Sequence, residues 1–263
     1  MDPDGLIPDR HDLYEACVQS PPEMTLMLRA IHGRDPKVLG EDFAGTAALS
    51  RHWVANVPGA SAIAVDQDGG ELGRAGVTPG VRTVVADVRQ ISDPVDCLFV
   101  GNFSIGYLHS RAELMAYLRH ARSRMNPGGV FVCDTYGGES AYHLGSVDRD
   151  VALPGGLHCR YRWEQREADP LTAMVTDVLH FRVFDADEVI ADFPDAYVYR
   201  WRLWSVPELR DALIEAGFET TDIYSNLPDA VDDEGHAYAE PITDPDWLGD
   251  SFIVCVAGRV GKA

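Results

Sequence analysis

Lysine is almost missing from this chain. It occurs only at Lys37 and Lys262, and 22 Lys and Arg face 42 Asp and Glu, for a formal net charge of −20. A polyanion binds by releasing counterions from a basic stripe. No Lys/Arg cluster supplies one, so nucleic acid is excluded as an expected partner. The same acidity favours solubility, and a cationic small ligand over an anionic one. Long apolar runs are missing as well: no stretch reaches the roughly 18 residues of a membrane span, and no secretory apolar segment opens the chain. The expectation is a soluble, cytoplasmic protein with no membrane partner. The five cysteines, Cys17, Cys97, Cys133, Cys159 and Cys255, are scattered without zinc spacing; they read as small buried hydrophobes in a reducing compartment, and no metal is expected.

What is present is a β-turn-α-β pattern. Lys37-Val-Leu-Gly-Glu-Asp-Phe-Ala-Gly-Thr-Ala-Ala-Leu-Ser50 carries a short apolar run into a glycine turn. An amphipathic segment with Ala48, Leu49, Trp53 and Val54 follows, and then Ala62-Ile-Ala-Val-Asp66, a second buried run ending in an acid. In an open α/β sheet such a turn lets backbone N–H groups approach a nucleoside, and the acid accepts from the ribose hydroxyls. Only Gly45 stands where a glycine-rich loop has two or three glycines. Two further acids strengthen the reading: Glu41 at the end of the first run and Asp87 closing Val81-Arg-Thr-Val-Val-Ala-Asp87. Acids are rarely buried without partners, so three successive strands ending in carboxylates point to the ligand-binding carboxyl edge of the sheet.

Together these residues resemble the class I S-adenosylmethionine-dependent methyltransferases, over about residues 10 to 260 and in the family's order. The resemblance implies an acid before the glycine loop (Glu41, then Phe43-Ala44-Gly45-Thr46-Ala47), a ribose-binding acid (Asp66, with Gln67 beside it) and an adenine-binding acid (Asp87, with Val88). It also implies a fourth strand, Val95 to Asn102, ending under the sulfonium, and a fifth after Asn126-Pro-Gly-Gly129. Phe43 and Ala47 stand where the family usually has glycine. The implied cofactor is S-adenosylmethionine, with S-adenosylhomocysteine as product. The cofactor-binding residues expected on this basis are Tyr14, Glu41, Phe43, Gly45, Asp66, Gln67, Asp87, Val88, Asn102 and Phe103.

The expected fold is α/β: a doubly wound, seven-stranded, mostly parallel sheet of the Rossmann-like methyltransferase type, with an inserted antiparallel β cap. Residues 1–33 are expected to form N-terminal lid helices, 34–138 and 205–263 the core domain, and 139–204 a substrate cap. Helix signals are explicit. Ser20-Pro-Pro-Glu23, Ser110-Arg-Ala-Glu113 and Ser205-Val-Pro-Glu208 are capping boxes, each followed by apolar residues at helical spacing. Between them Leu157 to Arg166, Thr172 to Phe184 and Tyr197 to Trp204 read as extended segments rich in Tyr, Trp, Val and Arg.

Methyl transfer needs positioning and exclusion of water more than a particular nucleophile, so catalytic residues are less legible than cofactor ones. Asn102, at the end of the fourth strand, and His180, whose ordinary pKa lies near neutrality, are the catalytic candidates. Alternation places Tyr161 and Trp163, and likewise Tyr199 and Trp201, on common faces. With Tyr136 and Arg200 these are the substrate-binding candidates, suited to a small amphipathic or cationic acceptor; aromatic packing is the competing reading of the same residues. The expected activity is methylation of N or O on a small molecule by a monomer or homodimer. Two alternatives stand beside it: an NAD-dependent oxidoreductase on a similar sheet, and an inactive cofactor-binding partner subunit.

Overall fold

The computed structural model describes residues 7–262. In chain order the elements are α1 (Arg10–Cys17), α2 (Pro21–His32), β1 (Val38–Asp42), α3 (Ala48–Asn56), β2 (Ser61–Asp66), α4 (Gly69–Gly73), β3 (Val81–Val85), β4 (Val95–Val100), α5 (Arg111–Arg124) and β5 (Met125–Gly138). There follow β6 (Gly145–Ala152), β7 (His158–Asp169), β8 (Met174–Asp185), β9 (Glu188–Arg202), α6 (Val206–Ala216), β10 (Thr220–Ser225), β11 (Ala230–Val231), β12 (Ala237–Tyr238) and β13 (Ser251–Arg259). They divide into two compact units. A larger one comprises Pro21–Ala141 and residues 204–262; a smaller one comprises residues 7–20 and Tyr142–Leu203. No described helix is long and apolar enough to cross a membrane.

The larger unit holds a seven-stranded sheet in the order β3-β2-β1-β4-β5-β13-β10. Strands β1 to β5 are parallel, and β13 runs antiparallel to both neighbours. The central strands are buried on both faces and read as continuous apolar runs, as parallel strands must. One face packs Leu98, Val100, Phe131 and Val256 against Leu114, Leu118 and Leu213 of α5 and α6. The other packs Leu39, Cys97 and Val132 against Met27, Leu28 and Ile31 of α2 and Trp53 of α3. Ser110 and Ser205 cap α5 and α6 with reciprocal bonds to Glu113 and Glu208, as the sequence pattern indicates.

The smaller unit is a four-stranded antiparallel sheet, β6-β7-β8-β9. Its apolar face places Cys159, Leu179, Phe181 and Val183 against Leu13 and Cys17 of α1. The two N-terminal helices therefore do not form a unit of their own: α1 belongs to the antiparallel sheet and α2 to the parallel one, each following its apolar stripe. Strand β6 carries no apolar alternation in Gly-Ser-Val-Asp-Arg-Asp and is exposed along most of its length, so its partner β7 defines it. β3 ends at Val85, and Asp87 caps a 3-10 turn over Val88–Gln90.

Beneath the parallel sheet lies a buried ion pair. Arg124 Nη1 donates to both oxygens of Asp42 at 3.0 Å, and the Tyr117 hydroxyl donates to Asp42 at 2.8 Å. Asp42 and Arg124 are each 1% exposed. Burial pushes the Asp42 carboxyl above its ordinary range, and Arg124 opposes the shift. Breaking such a pair leaves a buried charge uncompensated, at a cost of about 3–5 kcal/mol. Arg124→Met should destabilise the protein by that amount in denaturant unfolding, and adding Asp42→Asn should restore a large part of it. An unaffected midpoint in the single variant would show that the pair carries no stability.

Candidate functional site

Past the carboxyl ends of the parallel strands the backbone leaves the ladder, and carboxylates of β1, β2 and β5 take up N–H groups of the segments that follow β1, β2 and β4. Asp66, the last residue of β2, accepts the Gly45 N–H at 2.8 Å on one oxygen and the Asp68 N–H at 2.9 Å on the other. Glu41 accepts the Ser50 N–H and hydroxyl on a single oxygen, at 2.9 and 2.5 Å, and so ties β1 to the first turn of α3. Asp134 of β5 receives the N–H groups of Asn102 and Phe103, just past β4, at 2.8 and 2.7 Å.

Left-handed backbone gathers at the same edge: Phe43 (φ 59°), Gly45 (52°), Ala47 (56°), Asn102 (54°) and Phe103 (61°). For a residue with a Cβ this conformation costs about 1–2 kcal/mol and persists where the surroundings over-determine it. Phe43 and Ala47, which depart from the usual glycines, thus follow the path that glycine would take. Their side chains are held by packing: Phe43 stacks on Tyr107 at 6.0 Å and meets Tyr117 edge-on at 6.0 Å, and Ala47 is fully buried. At Gly45 nothing stands within 4 Å of where a Cβ would be. The hydroxyl of Thr46, in a residue 3% exposed, finds no partner among the described residues.

The acids differ in electrostatics. Burial pushes Glu41 up to about 7 against the bonds from Ser50, and Asp134 up to about 7 against those from Phe103 and Asn102. Asp87 goes the other way: bonds from Arg89 Nε at 2.9 Å and Nη2 at 2.5 Å, with its backbone N–H, bring it down to about 2.

No protein-family model matches the sequence, and no curated protein matches it. Structures do. DesVI from Streptomyces venezuelae superposes with a TM-score of 0.69 at 17% identity, over 98% of this chain and 100% of that one. The fold is that of the S-adenosylmethionine-dependent methyltransferases. CalS10, an amino pentose methyltransferase from Micromonospora echinaspora solved with S-adenosylmethionine bound, gives 0.66 at 17% identity over 94% of this chain and 95% of its own. The sugar N-methyltransferase KedS8 from Streptoalloteichus gives 0.66 at 17% over 95% and 92%. The antiparallel β13 between β5 and β10 also separates this methyltransferase fold from the six-stranded dinucleotide-binding sheet.

Of the residues expected from sequence, Glu41, Phe43, Gly45, Asp66, Gln67, Asn102 and Phe103 come together at the carboxyl edge of the methyltransferase sheet, Asp87 and Val88 follow β3 on the same edge, and Tyr136 of β5 packs edge-on to Phe103 at 5.0 Å. The others lie in the smaller unit. Tyr14 of α1 rests on Tyr197, with centroids 5.0 Å apart. Tyr161 stacks on Phe181 and Tyr199 on Trp201, and Tyr161, Trp163 and Tyr199 pack against the apolar cluster that includes Leu13 and Cys17 of α1. His180 sits on the opposite, charged face, between Glu164 at 2.9 Å and Asp195 at 3.5 Å. Arg200 shares that face, across from Thr176. Asp134 was not among the expected site residues. Its signal was a carboxylate in the apolar run Val-Phe-Val-Cys-Asp of a central strand, where an acid needs a partner.

Glu41 supplies a pH test. Between its ordinary 4.5 and the folded value of about 7, the unfolded chain releases a proton that the folded chain keeps, so stability falls as pH rises through this window. In the Glu41→Gln variant the amide oxygen can still accept both Ser50 donors, and the side chain does not titrate. The stability of ligand-free Glu41→Gln relative to wild type should therefore improve by on the order of 2 kcal/mol between pH 5 and pH 8, in urea unfolding at both values. An equal gap at both pH values would mean that Glu41 is ionised throughout.

Proposed function

We propose that the protein transfers a methyl group from S-adenosylmethionine to a small-molecule acceptor, and that the acceptor atom is an amine nitrogen. The observation that carries the reading is the loop after β1: left-handed at Phe43, Gly45 and Ala47, open at the missing Cβ of Gly45, and tethered to the acid that ends β2. It leaves backbone approachable beside a carboxylate, which is what a ribose requires.

The residues present fit this cofactor. Both oxygens of Asp66 hold backbone N–H groups, and each retains a lone pair for a ribose hydroxyl; Oδ1 of Asp87 takes both the Arg89 N–H and Nε, and Oδ2, bonded to Nη2, retains one lone pair for an amino group on adenine. Val88, 4% exposed, supplies apolar surface next to it. Asn102 and Phe103, at the end of β4, fall to the sulfonium end. When bound, S-adenosylmethionine supplies a methyl on a sulfonium sulfur, open to in-line displacement. The chain's own part is to bind, orient and exclude water, which requires no nucleophilic side chain.

Two observations support an amine. KedS8 and CalS10 are named for sugar N- and amino pentose methylation, and the charge of −20 attracts an ammonium-bearing molecule while opposing an anionic one.

Asp66→Ala should weaken S-adenosylhomocysteine by about 1.5–3 kcal/mol, the range for hydrogen bonds to a charged group, in isothermal titration calorimetry. Unchanged affinity would remove Asp66 from the site. NAD binding with no response to S-adenosylhomocysteine would overturn the reading in favour of an oxidoreductase.

A further inference from the structure

We propose that Asp134 is the positioning residue of this site: its carboxylate fixes the double left-handed turn Asn102–Phe103, and through it the end of the pocket that holds the amino-acid arm of the cofactor. The proposal rests on reading the carboxyl edge as an S-adenosylmethionine site.

The geometry is specific. The β4–β5 register pairs Val100 with Cys133, so Asp134 stands abreast of Gly101, the last residue before the turn. Its two oxygens then meet two successive N–H groups, one each, at 2.8 and 2.7 Å. Side chains two apart on a strand share a face, so Tyr136 follows Asp134 and packs against the Phe103 ring at 5.0 Å. One strand therefore grips both the backbone and the side chain of the turn. Asn102 and Phe103 have φ of 54° and 61°, a conformation that two non-glycine residues in succession hold only when something outside the turn enforces it. Past the turn, the Ser104–Tyr107 segment carries Tyr107 onto Phe43 in the loop after β1. Asp134 touches neither Asp66 nor Asp87, whose hydrogen-bond partners all belong to their own neighbourhood. Its direct bonds to other residues' N–H groups go to the turn after β4.

Asn at this position keeps the shape but has one acceptor oxygen for two donors. In calorimetry, Asp134→Asn should weaken S-adenosylhomocysteine at least about tenfold and adenosine less than about threefold, because adenosine lacks the arm that the turn serves. Asn102→Gly, which takes the left-handed conformation without a Cβ penalty, should shrink the larger effect when combined with Asp134→Asn, and a merely structural role would give no such rescue. Should Asp134→Asn not fold, Asp134→Glu, with the carboxylate displaced by one methylene, should give the same split between the two ligands. Equal losses for both ligands, or no loss for either, in a folded variant overturn the proposal while leaving the cofactor reading intact. Wild-type protein that binds neither ligand overturns both.

Discussion

Backbone N–H groups past the carboxyl ends of parallel strands have left the ladder, and the chain must satisfy them or leave them to a ligand. Here Asp66 and Asp134 accept such groups directly, and Glu41 takes the N–H and hydroxyl of Ser50 at the start of α3. Each bond fixes a piece of irregular backbone to a rigid strand. Unpaired buried donors would each cost on the order of 1–3 kcal/mol, so the carboxylates stabilise the fold and shape the crevice at once. The left-handed residues of the two loops persist because these acids, and the aromatic contacts of Phe43 and Phe103, hold them in place. Burial raises Glu41 and Asp134 to about 7, so ionising either acid costs free energy at the edge where the cofactor is proposed to bind. Asp42, next to Glu41 at the end of β1, has Arg124 and Tyr117 as partners.

The arginines of this acidic chain are distributed by the same logic of pairing. On the charged face of the smaller sheet Arg160 meets Asp150, Arg162 meets Asp148, Arg182 meets Asp192, and Arg166 bridges Glu164 and Asp195. Most are exposed cross-strand pairs, which solvent screens. Their main effect is to neutralise the cations locally, so that no basic stripe arises despite a run of arginines along β7. The opposite face is aromatic and takes α1, with Arg149 over the Tyr161 ring and bonded to the Cys17 carbonyl. Two chemically opposite faces from alternating residues explain why Tyr, Trp and Arg interleave over residues 160–163 and 197–202.

Sequence by itself determined the class of sheet, the order of its elements and the acids at its edge. Apolar runs of strand length, capping boxes at Ser110 and Ser205, and the spacing from Glu41 through Asp66 to Asp87 are local signals, written within a few residues of where they act. It also showed Phe43 and Ala47 in place of glycine, because a missing glycine is visible without coordinates. Tertiary structure decided what depends on contacts between distant segments. Phe43 and Ala47 both hold left-handed backbone, Phe43 packed against Tyr107 and Tyr117 and Ala47 buried. Strand β6 exists because β7 pairs with it, and its polar residues gave no periodicity of their own. Alternation told which aromatics shared a face but not what covered it, and the stripe of α1, at the far end of the chain from β7, supplied the answer. Asp134 needed the β4–β5 register before its two donors could be named, because a hydrogen bond between residues 31 or 32 positions apart leaves no trace in the spacing of either.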